Sequence, residues 1–205
     1  MRLLTSAACA LILCAAAAGP AYAVEPDAPE QLITQLDAVT LEVQKRLSAG
    51  FRAESETEFE QNDHGAMVEF YSDQDRHKPL WVSTEGLTPK AKLVMRELRR
   101  AGDYGLNAAD YALPKSLGAG DEKLSPDQLA DAEIAISDAA LHYVRDARGG
   151  RLEPGALGRN LDPTLNLADP LQVMEELAKR DDVDAYIRSF QPQHPQFEAL
   201  RQVML

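Results

Sequence analysis

Apolar residues recur along much of the chain at the three- and four-residue spacing of a helix. Leu32, Leu36, Val39, Val43 and Leu47 form one such stripe, which predicts an amphipathic helix from about Pro29 to Gly50. Residues 50–64 follow, with Glu54, Glu56, Glu58, Glu60 and Asp63 and few apolar partners, and read as a solvated acidic linker. Met67, Val68, Phe70 and Tyr71 make a short apolar segment, and Pro79-Leu80-Trp81-Val82 another. Neither is long enough to distinguish helix from strand.

Three later helices announce their starts. Thr88-Pro89, Ser125-Pro126 and Asp169-Pro170 each place a capping side chain before proline at the first helical position. The first continues through Leu93, Val94, Leu98 and Ala101 and ends at Gly102 and Gly105. Asn107 then caps a short turn of helix, Ala108 to Tyr111. The second runs through Leu129, Ala132, Ile136, Ala139, Ala140 and Tyr143 and stops at Gly149-Gly150. The third holds Leu171, Val173, Met174 and Leu177, and Val183, Tyr186, Ile187 and Phe190 add another turn or two. His194-Pro195 opens a last segment with Phe197, Leu200, Val203 and Met204. Its pattern reaches Leu205 without a capping signal, as expected of a helix interrupted rather than finished. The expected fold class is mainly α: an irregular helical domain with short extended segments.

The first residues carry a different signal. Arg2 precedes an uncharged apolar run, Leu3 to Ala18, and Ala21-Tyr22-Ala23 is a small-residue cleavage site. This predicts a secretory signal peptide, residues 1–23, cut between Ala23 and Val24, with no transmembrane segment afterwards. Cys14 follows Leu13 rather than a small residue, so a lipoprotein is not expected. Cys9 and Cys14 are the two cysteines and both lie in this leader. The exported chain is therefore expected to have no disulfide, no thiolate metal ligand and no cysteine nucleophile. Net charge is −12, which argues against nucleic acid as a partner.

Motifs for chemistry are sparse. No G-x-S-x-G or H-E-x-x-H occurs, and His64, His77, His142 and His194 are scattered. Asp138 and His142 stand four apart on one predicted helix; a surface pair is the expected reading, a base with its orienter the other. Gly118-Ala119-Gly120 lacks the lysine and strand of a phosphate loop. No cofactor and no metal is expected. Trp81 is the only tryptophan and is expected to anchor the core; facing solvent beside Tyr71 and Arg76, it would instead be a sugar-stacking platform. Gly149-Gly150-Arg151-Leu152-x-Pro154 reads as a tight turn after a helix.

Four groups of residues, in order, resemble one family. The first is Phe70-Tyr71, Arg76 and Pro79-Leu80-Trp81-Val82. The second is Thr88-Pro89, Leu98-x-x-Ala101, Gly105-Leu106 and Asp110-Tyr111. The third is Asp131, Ser137-Asp138, Leu141, Tyr143 and Gly150-Arg151-Leu152-x-Pro154, and the fourth Pro192-x-His194-Pro195-Gln196-Phe197-x-x-Leu200. Together they resemble the N-terminal scaffold domain of the large murein L,D-transpeptidases. The resemblance covers about residues 65–205 and leaves residues 24–64, the first helix and acidic linker, outside. It implies a periplasmic, non-catalytic scaffold serving peptidoglycan 3→3 cross-linking. It also implies peptidoglycan, the family's transpeptidase domains or a cell-wall protein as partner. In that family a separate domain carries a Ser/Thr-His-Gly-Cys-type motif, which this chain lacks, so no catalytic residue carries over. The quoted motif residues are expected to be structural. The alternative is a stand-alone peptidoglycan-binding module or partner-binding adaptor; a carboxylate-based hydrolase is a more distant third.

Overall fold

The structure is a computed structural model, and it describes residues 28–50, 57–73, 78–114, 117, 124–151 and 165–205. The predicted cleavage site at Ala23 and Val24, together with Arg76, His77, Gly118–Gly120 and Pro154, lies outside the described residues.

Helices account for most of the described chain, as expected for a mainly α protein. They are α1 (Ala28–Gly50), α2 (Glu58–Ser72), α3 (Pro89–Arg99), α4 (Pro126–Ala147), α5 (Pro170–Lys179), α6 (Val183–Arg188) and α7 (Pro195–Met204). A two-stranded hairpin, β1 (Val82–Ser83) and β2 (Gly86–Leu87), separates α2 from α3. Its register pairs Val82 with Leu87 and Ser83 with Gly86, antiparallel. Two 3-10 turns, Ala101–Tyr104 and Ala108–Asp110, follow α3.

Local chemistry sets the helix starts. Thr88 Oγ1 accepts from Ala91 N–H, and Asp169 accepts from Leu171 N–H, with proline next in each case. Ser125 and Gln128 form a reciprocal capping box at the head of α4. His194 caps α7 through its ring nitrogen, which accepts from Gln196 N–H at 3.2 Å.

α4 is the axis of the domain. It packs against α1, α2, α3, α5, α6 and β1. Its stripe of Leu129, Ala132, Ile136, Ala139, Ala140 and Tyr143 is buried throughout. Val39, Val43 and Leu47 of α1 join the same core. Burial of each such aliphatic side chain contributes about 1.5–3 kcal/mol. Among the described residues no helix is long and apolar enough to cross a membrane.

The acidic stretch departs from expectation. From Glu58 onward it is helix α2, opened by a capping box in which Thr57 Oγ1 accepts from Glu60 N–H and the Glu60 carboxylate accepts from Thr57 N–H. Acidic side chains in a first turn face the positive end of the helix dipole, so charge that reads as linker favours helix here. Asp63, read as part of that linker, is buried. Residue 64 lies inside α2, and α1 packs on α4.

Candidate functional site

Glu133 organises the centre of the molecule. It lies on the buried stripe of α4, fully out of solvent. Its Oε1 accepts from Leu80 N–H (2.6 Å) and from the Tyr71 hydroxyl (2.6 Å). Its Oε2 accepts from Trp81 N–H (2.9 Å) and Val82 N–H (3.1 Å). One turn later, Ser137 Oγ accepts from the Trp81 indole N–H (2.8 Å) and sits 2.9 Å from the Tyr71 hydroxyl. Thus one carboxylate and one hydroxyl on α4 clamp the end of α2 and the segment before β1. Thr88 closes the other side: its hydroxyl donates to Leu80 C=O (3.0 Å) and its N–H to Trp81 C=O (2.8 Å). Burial raises the Glu133 pKa to about 7, against the pull of its four donors.

The first group of motif residues meets here. Phe70 and Tyr71 are fully buried and meet edge to face at 5.0 Å. Trp81 has no exposed surface, so it is the core anchor and offers no platform to a sugar. Pro79 and Leu80 are half-buried beside it. Nothing in the residue spacing named Glu133. The available signal was its place on an apolar stripe, four residues after Leu129 and four before Ser137, where a charge needs partners.

A second polar cluster lines a cleft of about 210 Å³ between the start of α2 and the end of α4. Asp63 and Arg145 form an ion pair at its edge, both largely buried. Burial raises the Asp63 pKa to about 6, with Arg145 opposing and Asp138, Glu60 and Asp146 reinforcing. Asp146 accepts from the Tyr111 hydroxyl (3.0 Å) and lies 3.6 Å from His142 Nε2. Arg151 donates to Asp110 at 2.8 Å. Tyr111 meets the rings of His142 (5.3 Å) and Tyr143 (5.5 Å) edge-on. Asp146, one turn after His142, faces its ring, and Asp138, one turn before, is exposed. Thr57, the hydroxyl on the cleft wall, is committed to the α2 capping box.

The other three groups make turns and supports. Gly105 closes the first 3-10 turn with φ 77°, and Leu106 packs half-buried against the core. Gly149 takes φ 91°, where glycine is favoured. Gly150 is required for a different reason: a Cβ there would stand 2.4 Å from Arg145 Cγ and 3.0 Å from its carbonyl oxygen. His194 and Pro195 begin α7, and both are exposed. His64 contacts Leu47 C=O at 2.9 Å, tying α2 to the end of α1.

One further pair escaped the sequence reading. Glu97 of α3 is buried and receives both Nε–H and Nη2–H of Arg188, each at 2.9 Å, from α6. Like Glu133, Glu97 is an acid on an apolar stripe, beside Val94 and Leu98.

The arrangement positions chain segments: the Glu133 and Ser137 side chains hold the end of α2 and the segment before β1 against α4. Residues 65–204 match the family described as the scaffold domain. No curated protein and no solved structure matches the chain.

Proposed function

The chain belongs to the scaffold-domain family, and on that premise we propose that it is the non-catalytic scaffold of a murein L,D-transpeptidase system, exported to the periplasm. The observation that carries this is the ordered set of motif residues within the matched span, whose first group converges on Glu133 and Ser137. Side chains spent on clamping segments to α4 make a rigid frame, which suits a scaffold. The thiolate that 3→3 cross-linking needs comes from outside these 205 residues, because both cysteines lie in the predicted leader. The leader supports export. Muropeptide analysis of sacculi from cells lacking residues 65–204 tests the reading. Fewer 3→3 cross-links are expected, and an unchanged profile refutes it. A fusion of residues 1–30 to a reporter active only after export tests the location.

A partner-binding adaptor is the second reading. Leu200, Val203 and Met204 on α7 are exposed by 61%, 85% and 58%. They favour docking onto a transpeptidase catalytic domain. Val203→Asp should weaken that association without changing the melting temperature; unchanged association counts against it.

A further inference from the structure

The outer face of α3 runs against the charge of the molecule. The chain has a net charge of −12, yet residues 89–100 hold Lys90, Lys92, Arg96, Arg99 and Arg100 against a single acid, Glu97. Glu97 is buried and held by Arg188, so it offers no negative charge to the outer face. From Lys90 to Arg100 every exposed residue is basic: Lys92, Arg96, Arg99 and Arg100. Lys92, Arg96 and Arg99 stand at i, i+4 and i+7, so they share one ridge about 10 Å long.

Two further observations set this ridge apart from an ordinary solvated face. Helix α3 has no acid in its first turn and carries Lys90 and Lys92 there, at the positive end of the helix dipole. Helices α2, α4 and α7 each open with an acid instead. The dipole accounts for Arg96 and Arg99 in the last turn, but it opposes Lys92. Lys92 and Arg99 also have no carboxylate partner among the described residues, whereas Arg96 pairs with Asp184 (3.1 Å) and Arg100 with Asp103 (3.0 Å). In a chain with 33 acids, the positions three and four away from Lys92 hold Thr88, Pro89, Met95 and Arg96, none of them acidic.

We infer that this ridge docks an acidic segment of a partner protein, one whose carboxylates recur along its length. Lys92 and Arg99 supply the open cationic positions at the two ends. Arg96 supplies the middle one, since its guanidinium is largely exposed and has more donors than Asp184 uses. Carboxylate is the anion that this face already holds, at Asp184 and Asp103. A lipid surface suits the ridge less well, because the exposed large apolar side chains, Leu41, Val68, Leu200, Val203, Met204 and Leu205, all lie elsewhere and leave α3 without an anchor. A DNA duplex carries a charge about every 1.7 Å, far denser than three cations in about 10 Å can match, and the rest of the chain repels it.

The test is a ¹H–¹⁵N titration of the full chain with N-acetyl-octaglutamate amide, with a short DNA duplex and with phosphatidylglycerol vesicles. Octaglutamate should shift the amides of residues 89–100. Its affinity should fall about tenfold between about 10 mM and about 150 mM salt, as the screening length drops from about 30 Å to about 8 Å. Lys92→Glu should weaken binding about tenfold while the melting temperature holds or rises, because it places an acid where the dipole favours one. A merely structural lysine would not separate the two readouts in that way. Lys45→Glu, the same charge change on α1, should weaken binding no more than about twofold, because it lies off the ridge. No shifts up to about 10 mM, full affinity in Lys92→Glu, an equal loss in Lys45→Glu, or tighter binding of the duplex or the vesicles each overturns the inference.

Discussion

Replacing Glu133 by Gln probes the clamp at its centre. The glutamine keeps one oxygen and turns the other into an NH₂ group. That oxygen can serve one pair of donors, either Tyr71 O–H with Leu80 N–H or Trp81 N–H with Val82 N–H. The other pair then faces a donor in a site with no access to water. Each stranded donor costs about 1–3 kcal/mol, so the substitution should cost about 2–6 kcal/mol in all. Domains of this kind are stable by about 5–15 kcal/mol, so the variant should fold with a clearly lowered midpoint. Trp81 is the single tryptophan and is fully buried against this network. Its fluorescence in a urea titration therefore reports the transition directly.

The pH dependence adds a second reading of the same experiment. Burial lifts the folded-state pKa of Glu133 to about 7 from the ordinary 4.5. The native state therefore binds the proton more tightly than the unfolded chain. Stability from this group is fully present below pH 4.5 and is lost as pH rises through 7. Glutamine has no proton to bind. The gap between wild type and Glu133→Gln should thus be larger at pH 5 than at pH 7.5. A loss below about 0.5 kcal/mol at both pH values would refute the clamp, since surface substitutions give as much. A gap that widens with pH would show that the four donors, rather than burial, set the proton affinity.

Three other outcomes follow from the geometry. In ¹³C-detected titrations the Asp63 carboxyl should have its midpoint near 6 rather than 3.8, because burial outweighs Arg145; a midpoint below 4 contradicts this. Arg188→Ala should cost about 2–4 kcal/mol by leaving Glu97 buried and unpaired, somewhat under the usual range because Arg188 is partly exposed. The double variant Glu97→Leu/Arg188→Leu should recover much of that in urea melts, and equal loss would mean the pair itself stabilises. Gly150→Ala should lower stability by about 1–3 kcal/mol through its collision with Arg145, whereas Gly102→Ala, with nothing within 4 Å, should not lower it through contact; equal losses would refute the packing argument.

The residues themselves determined the helical class and most helix starts. Thr88-Pro89, Ser125-Pro126, Asp169-Pro170 and His194-Pro195 all open helices, because a cap is satisfied by N–H groups two or three residues away. That information is local, so one sequence suffices to read it. Thr57 and Glu60 follow the same local rule, but the acidic composition of residues 50–64 masked them. The partners of Glu133 lie 51 to 62 residues back along the chain, and Arg188 lies 91 residues from Glu97. No spacing rule encodes such pairs. Whether a carboxylate on an apolar stripe is buried, and what then satisfies it, depends on which segments packing brings alongside. Tertiary structure likewise decided that Trp81 faces α4 instead of solvent and that Gly150 is needed for the approach of Arg145. A capping hydrogen bond closes over a few residues. Desolvation depends on every neighbour the fold supplies.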